Sequence, residues 1–139
     1  MADVTVKGID EMDSLGDGRF VRCRAELGVR SFGFQLLNLP ANDENYPEHA
    51  HANMPPPMEL ANDGQEEVYV PISGAAILIA DGDEYRLEPG MMARVGPAQM
   101  RRLVTRDEPA QVLVLGGMPG RPYEAPAFTE IGASLLRSR

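Results

Sequence analysis

The sequence holds a single cysteine, Cys23, in 139 residues, so no internal disulfide can form. Basic side chains are in deficit as well: 13 lysines and arginines against 21 aspartates and glutamates leave a net charge of −8. A field of that sign repels phosphate backbones and anionic lipid, which argues against nucleic acid and membrane surfaces as partners. Long apolar runs are missing; GAAILIA at 74–80 falls far short of the roughly 20 residues that span a bilayer. No basic stretch followed by an apolar one opens the chain, and together with the lone cysteine this leads to the expectation of a cytoplasmic protein. A helical pattern of 10 to 15 residues between strand-like runs is also absent, which disfavours a parallel βαβ architecture.

What remains is a chain with 43% hydrophobic and 24% charged residues, ordinary for one globular domain over 1–139. Its 14 glycines and 12 prolines punctuate short β-rich runs at even spacing, the pattern of an all-β sandwich or barrel. Strands are predicted at 19–27, 31–39, 48–52, 66–72, 74–80, 83–88, 91–96, 101–105 and 111–117. Asp81-Gly82, between two such runs, fits a tight antiparallel hairpin turn, and Pro89-Gly90 closes the strand that follows. Alternation in RFVRCRAEL puts Cys23 on the apolar side of the first strand as a buried, inert thiol. The one helix candidate is the tail TEIGASLLRSR, 129–139, with Thr129 as N-cap and Gly132 as an internal weakness. Met91, Met92 and Met100 read as gap-filling core. LGDGR at 15–19 lacks the following helix and lysine of a phosphate-binding loop.

The stretch 52–64 breaks this rhythm, because three consecutive prolines favour polyproline II and forbid central strand pairing. It is read as an inserted loop whose Met54, Met58 and Leu60 pack back on the body. Just before it stand both histidines of the chain. Residues two apart on a strand share a face, so His49 and His51 would project together and could reach one ion. Two imidazoles do not satisfy a zinc, iron or manganese ion, so further ligands must come from elsewhere. In GQEEVYVPISG, Gln65, Glu67 and Tyr69 share one strand face while Glu66 takes the other. By the residues alone, ligation by one of these glutamates and a solvated pair stand equally open.

The succession HAH, EEVYVPISG, DGDEYRLEPG and VGP over roughly 31–117 resembles the cupin family, antiparallel β-barrels of the jelly-roll group. In the first motif of that family His49 and His51 match the histidine pair, and Glu67 followed six residues later by Gly74 matches the remainder. Asp43 replaces the opening glycine, and the proline-rich insertion lengthens the spacing from His51 to Glu67. Laid from Gly90, the second motif agrees only at that glycine and brings the fourth ligand, a histidine, onto Arg101, whose guanidinium stays protonated and cannot ligate. The resemblance implies a core barrel over 31–117 and a tail over 118–139 that runs across it, with Tyr123 packed there. It also implies a divalent transition metal, iron, manganese, zinc or nickel, held by His49, His51 and Glu67.

Two functions follow. In one, a metal pocket acts on a small organic molecule in a dioxygenase- or isomerase-like manner, with Glu67 or Glu66 as base and Arg101 holding a substrate carboxylate. In the other, Arg101 pairs with Glu67 and replaces the ion, leaving a binding module for a small anionic or sugar-like ligand oriented by Arg101 and Arg102. A homodimer is expected, paired through exposed strands at 3–7 or 19–27.

Overall fold

The computed structural model describes residues 2–52, 54 and 63–134. Nine strands are assigned among these: β1 (Ser14–Leu15), β2 (Phe20–Val21), β3 (Gly33–Leu39), β4 (Glu66–Gly74), β5 (Ala76–Ala80), β6 (Asp83–Leu87), β7 (Ala93–Val95), β8 (Arg102–Val104) and β9 (Ala110–Gly117). They form a six-stranded sheet of order β1-β2-β3-β9-β4-β7 and a three-stranded sheet of order β6-β5-β8. Every pairing is antiparallel. The two sheets make the antiparallel β-barrel expected from the even spacing of strand and turn, in the jelly-roll form that the resemblance implied.

Alternation explains which faces meet. On β9, Ala110, Val112, Val114 and Gly116 are buried while the residues between them are half-exposed, and Leu37, Leu39, Tyr69, Leu78, Leu87, Val95 and Leu103 complete the interior cluster. Burying a Val or Leu side chain contributes roughly 1.5–3 kcal/mol, so this cluster is the main source of cohesion. The Asp81-Gly82 turn forms as predicted, with left-handed φ of 53° and 79° joining β5 to β6. Pro71 is accommodated in β4 because pairing with β7 ends at Tyr69↔Ala93 and the β9 ladder shifts register between Pro71 and Ser73.

Several expectations are corrected. The run 19–27 is not one strand: after β2 the chain turns into a five-residue helix, α1 (Cys23–Leu27). Gly28, at φ 76°, caps it by donating its N–H to the carbonyls of Ala25 and Arg24. Cys23 is buried as expected, but in a helix packed on the outer face of β3 with Val21, Leu36 and Leu113. Burial pushes its thiol pKa up, consistent with an inert side chain. Arg22 and Arg24, which alternation put on the solvent face, are buried because they have partners. Arg22 donates to Asp13 at 2.6 Å and to the carbonyls of Phe128 and Ala133, and Arg24 pairs with Glu130.

Residues 3–7 form no strand, and β2 is already paired on both sides, so neither segment is the exposed edge expected for a dimer. The run 48–52 makes only an isolated bridge, His49↔Arg101. Met91, Met92 and Met100 are not core: they are 50%, 73% and 38% exposed, in the connections flanking the short β7 and β8. Of the tail helix, the described part shows a single 3-10 turn at Ala127–Thr129, and Gly132 at φ 78° turns the chain out of any helix; residues 135–139 lie outside the described ones. Thr129 is not an N-cap, since its hydroxyl donates to the Pro126 carbonyl at 2.6 Å. In the loop 52–64, Met54 is half-buried, whereas Met58 and Leu60 lie outside the described residues. Tyr123 does pack on the barrel, with its hydroxyl 2.4 Å from where a Cβ on Gly33 would stand.

Candidate metal centre

Backbone pairing assembles the site. His49 and Arg101 exchange both main-chain hydrogen bonds, each at 2.9 Å, and His51 N–H donates to the Pro97 carbonyl at 2.7 Å. The histidine segment is thereby laid along 97–101, and the two imidazoles stand edge-on with centroids 4.9 Å apart. Glu67 reaches the same place from β4, pinned by Glu67↔Val95 on one side and Glu67↔Gly116 on the other. Its Oε1 is 3.3 Å from His51 Nε2 and 3.9 Å from His49 Nε2. One ligand atom from each of the three residues lies within 4.8 Å of the others, and all three residues are buried.

Both carboxylate oxygens are held. Gln65 donates Nε2–H to Oε2 at 2.9 Å and Tyr69 donates its hydroxyl to Oε1 at 2.9 Å, so the predicted common face of Gln65, Glu67 and Tyr69 is the inward one. Burial opposes ionisation of Glu67. The hydrogen bond from His51 and the electrostatic influence of His51, Arg101 and His49 outweigh it, leaving the carboxyl below its usual range. His49 is shifted the other way in charge: burial, the largest influence, lowers its pKa and favours the neutral ring. His49 Nδ1 faces the Pro47 carbonyl at 3.0 Å, which makes Nδ1 the donor and turns the Nε2 lone pair toward Glu67.

Arg101 is wholly buried, with Nη2 3.5 Å from Glu67 Oε1. Its terminal nitrogens also donate to main chain: Nη1 to the carbonyls of Gln99 at 2.9 Å and His49 at 3.4 Å, and Nη2 to that of Gly96 at 3.5 Å, while Nε has no partner among the described residues. It is therefore a wall of the site, clamping 96–101 against the histidines. Arg102 points elsewhere, to Glu44 at 3.0 Å, and Glu66 pairs outward with Arg94 at 3.0 Å. Neither joins His49, His51 and Glu67.

Tyr46 was not foreseen. Its ring packs against His49 at a tilt of 56°, with centroids 5.5 Å apart, and burial followed by the negative charge of Glu67 pushes its hydroxyl pKa well up. Tyr69 is raised in the same way, first by burial and then by Tyr46 and Glu67, so both phenols stay protonated. Tyr46 lies three residues before His49 in a segment with no strand periodicity, which left no signal of its direction.

No family model and no curated protein matches the chain. Solved structures do. A cupin protein from Bacteroides fragilis is 20% identical, with 97% of this chain and all of that one covered and a TM-score of 0.67. A sugar phosphate isomerase of the cupin superfamily from Silicibacter pomeroyi is 23% identical, covering 81% of this chain and 75% of that one, with a TM-score of 0.63. The cupin domain of an XRE family transcriptional regulator from Enterobacter cloacae is 18% identical over 66% of this chain and 86% of that one, with a TM-score of 0.51. Likeness at such low identity establishes the fold and leaves the chemistry to the residues.

Proposed function

On the premise of a cupin fold, we propose that His49, His51 and Glu67 hold one divalent transition metal in an open three-ligand site that acts on a small organic molecule. The observation that supports this reading is the convergence of two imidazoles and one carboxylate inside the barrel. With Nδ1–H given to Pro47, the His49 Nε2 lone pair faces a carboxylate oxygen 3.9 Å away, and His51 Nε2 stands 3.3 Å from the same oxygen. Such a set can take a cation between its members. Two imidazoles and one carboxylate suit zinc, iron, nickel or manganese, and three protein ligands leave positions for substrate or water, as open catalytic sites do.

A divalent ion supplies Lewis acidity and an orienting template for oxygen atoms of the substrate. The chain's own residues do the remaining work. Pro47 fixes the His49 tautomer, Gln65 and Tyr69 fix the carboxylate, and the backbone pairs to Pro97 and Arg101 fix the histidine segment. Glu67 serves as ligand, and Arg101 contributes a fixed positive charge beside it rather than a fork open to a substrate carboxylate. The Silicibacter pomeroyi neighbour is an isomerase, in keeping with isomerase-like chemistry on a small substrate, and a dioxygenase-like reaction uses the same open site.

One observation favours a second reading. Arg101 is wholly buried at 3.5 Å from Glu67, so its charge can stand in for the ion's and make a metal-free binding module for a small anionic or sugar-like ligand. The deciding experiment is elemental analysis of untagged protein, followed by dialysis against zinc and against manganese. Near-stoichiometric uptake with a raised melting temperature supports the metal site. Absence of uptake and of any melting shift overturns it in favour of the Arg101–Glu67 pair.

A further inference from the structure

We propose that Gln65 is the positioning residue of the Glu67 carboxylate and that position 116 is glycine in order to seat it, an inference that rests on the metal reading of the site. Gln65 is 3% exposed, immediately ahead of β4, and reaches Glu67 Oε2 with its amide at 2.9 Å. On the adjacent strand Gly116 lies directly across from Glu67. A Cβ built on Gly116 would stand 2.4 Å from Gln65 Cδ, 2.6 Å from Nε2 and 2.7 Å from Oε1. The whole carboxamide therefore lies flat on the bare backbone of β9. Gly116 is not among the residues with positive φ, so backbone freedom is not what position 116 requires. It requires room for one amide.

The orientation of that amide has a single solution. A carbonyl turned toward Glu67 would oppose the carboxylate, so the NH2 faces it and Oε1 faces away. Gln65 Oε1 is then buried with no hydrogen-bond partner among the described residues. An acceptor buried without a donor lowers stability, so Gln65 is not explained as a contributor to cohesion. It is explained by what it does to Glu67. With Oε2 held by Gln65 and Oε1 by Tyr69, the carboxylate plane cannot turn, and Oε1 stays presented to both imidazoles. Partners of this kind, one bond removed from a metal, typically alter affinity 10- to 100-fold when lost.

The test uses the full chain, with zinc as the probe in calorimetric titration. Gln65→Met keeps the shape over Gly116 but removes the donor; zinc affinity should fall roughly 10- to 100-fold while the metal-free melting temperature stays near that of the parent. Gly116→Ala should weaken zinc to a similar extent by displacing the amide. In a Gln65→Ala background, where the seat is empty, Gly116→Ala should have no further effect. Equal effects of Gly116→Ala in both backgrounds, or undiminished zinc affinity in Gln65→Met, overturn the proposal. If the parent chain takes up no zinc, the metal reading fails separately. The positioning role is then decided by crystal structures of metal-free Gln65→Met: a turned Glu67 carboxylate upholds it, an unmoved one refutes it.

Discussion

Arg101→His is the substitution that most sharply separates a barrel holding an ion from a barrel holding an arginine. In the metal-free chain it removes a wholly buried charge 3.5 Å from Glu67 and the donors to the carbonyls of Gln99, His49 and Gly96. Removing one partner of a buried ion pair costs roughly 3–5 kcal/mol. The long contacts to His49 and Gly96 add little, and Glu67 keeps its bonds from Gln65 and Tyr69, so the lower half of that range is expected. An unfolding entropy of about 2.1 cal/mol/K per residue over 139 residues converts 1 kcal/mol to about 3.4 °C, which makes the expected loss about 10–14 °C. Zinc should behave in the opposite sense. The substitution removes a positive charge from beside the ion and supplies an imidazole where the second cupin motif has one, so zinc should bind more tightly than to the parent. At 100 times its dissociation constant it should restore about 2.7 kcal/mol, or about 9 °C. Differential scanning calorimetry with and without zinc reads both halves. Metal-free Arg101→His melting within about 3 °C of the parent would refute the assigned strength of the pair. Zinc binding no tighter than to the parent would refute the placement of position 101 beside the ion.

Three further outcomes are expected. The double substitution His49→Ala and His51→Ala should leave the β-rich circular dichroism spectrum intact while abolishing zinc uptake and the zinc-dependent rise in melting temperature. Stability of the metal-free protein should decline as pH falls from about 6.5, because the unfolded chain protonates His49 there while burial keeps the folded ring neutral. It should decline further below about 4.5, since the depressed pKa of Glu67 contributes stability only above that value and loses it as the carboxylate is protonated; urea midpoints that are level from pH 7 to pH 4 would contradict both shifts. Gly74→Ala should destabilise by about 2 kcal/mol or more, because position 74 has φ 67° and an added Cβ would lie 1.8 Å from the Pro109 carbonyl oxygen, a loss visible as a lowered denaturant midpoint.

Local patterns carried the elements whose causes are local. The Asp81-Gly82 turn needs two left-handed residues between two β-rich runs, and those residues announce themselves. Period-two alternation separated Glu67 from Glu66 on opposite faces of β4, but which face turns inward was decided by the fold. The same alternation failed at 19–27, where burial of Arg22 and Arg24 depends on Asp13, Phe128, Glu130 and Ala133, partners up to 111 residues away in the chain. An arginine looks exposed until its partners are known. The three methionines failed for a related reason: β7 and β8 are three residues each, so Met91, Met92 and Met100 fall in connections where no face is imposed.

The sequence by itself determined the all-β class, the shared face of Gln65, Glu67 and Tyr69 and the two histidines that could share an ion, because each follows from a spacing of one to six residues along the chain. Only the tertiary structure decided what those residues meet. Tyr46 against His49, Gln65 over Gly116 and the burial of Arg101 between Glu67 and three carbonyls all join residues whose neighbourhood is set by sheet pairing rather than by sequence distance. The direction of a charged side chain is fixed by where its charge can be compensated. In this barrel the compensating groups for Arg101 come from three separate stretches, at 49, 67 and 96–99, which only the folded sheets bring within a few ångströms of one another.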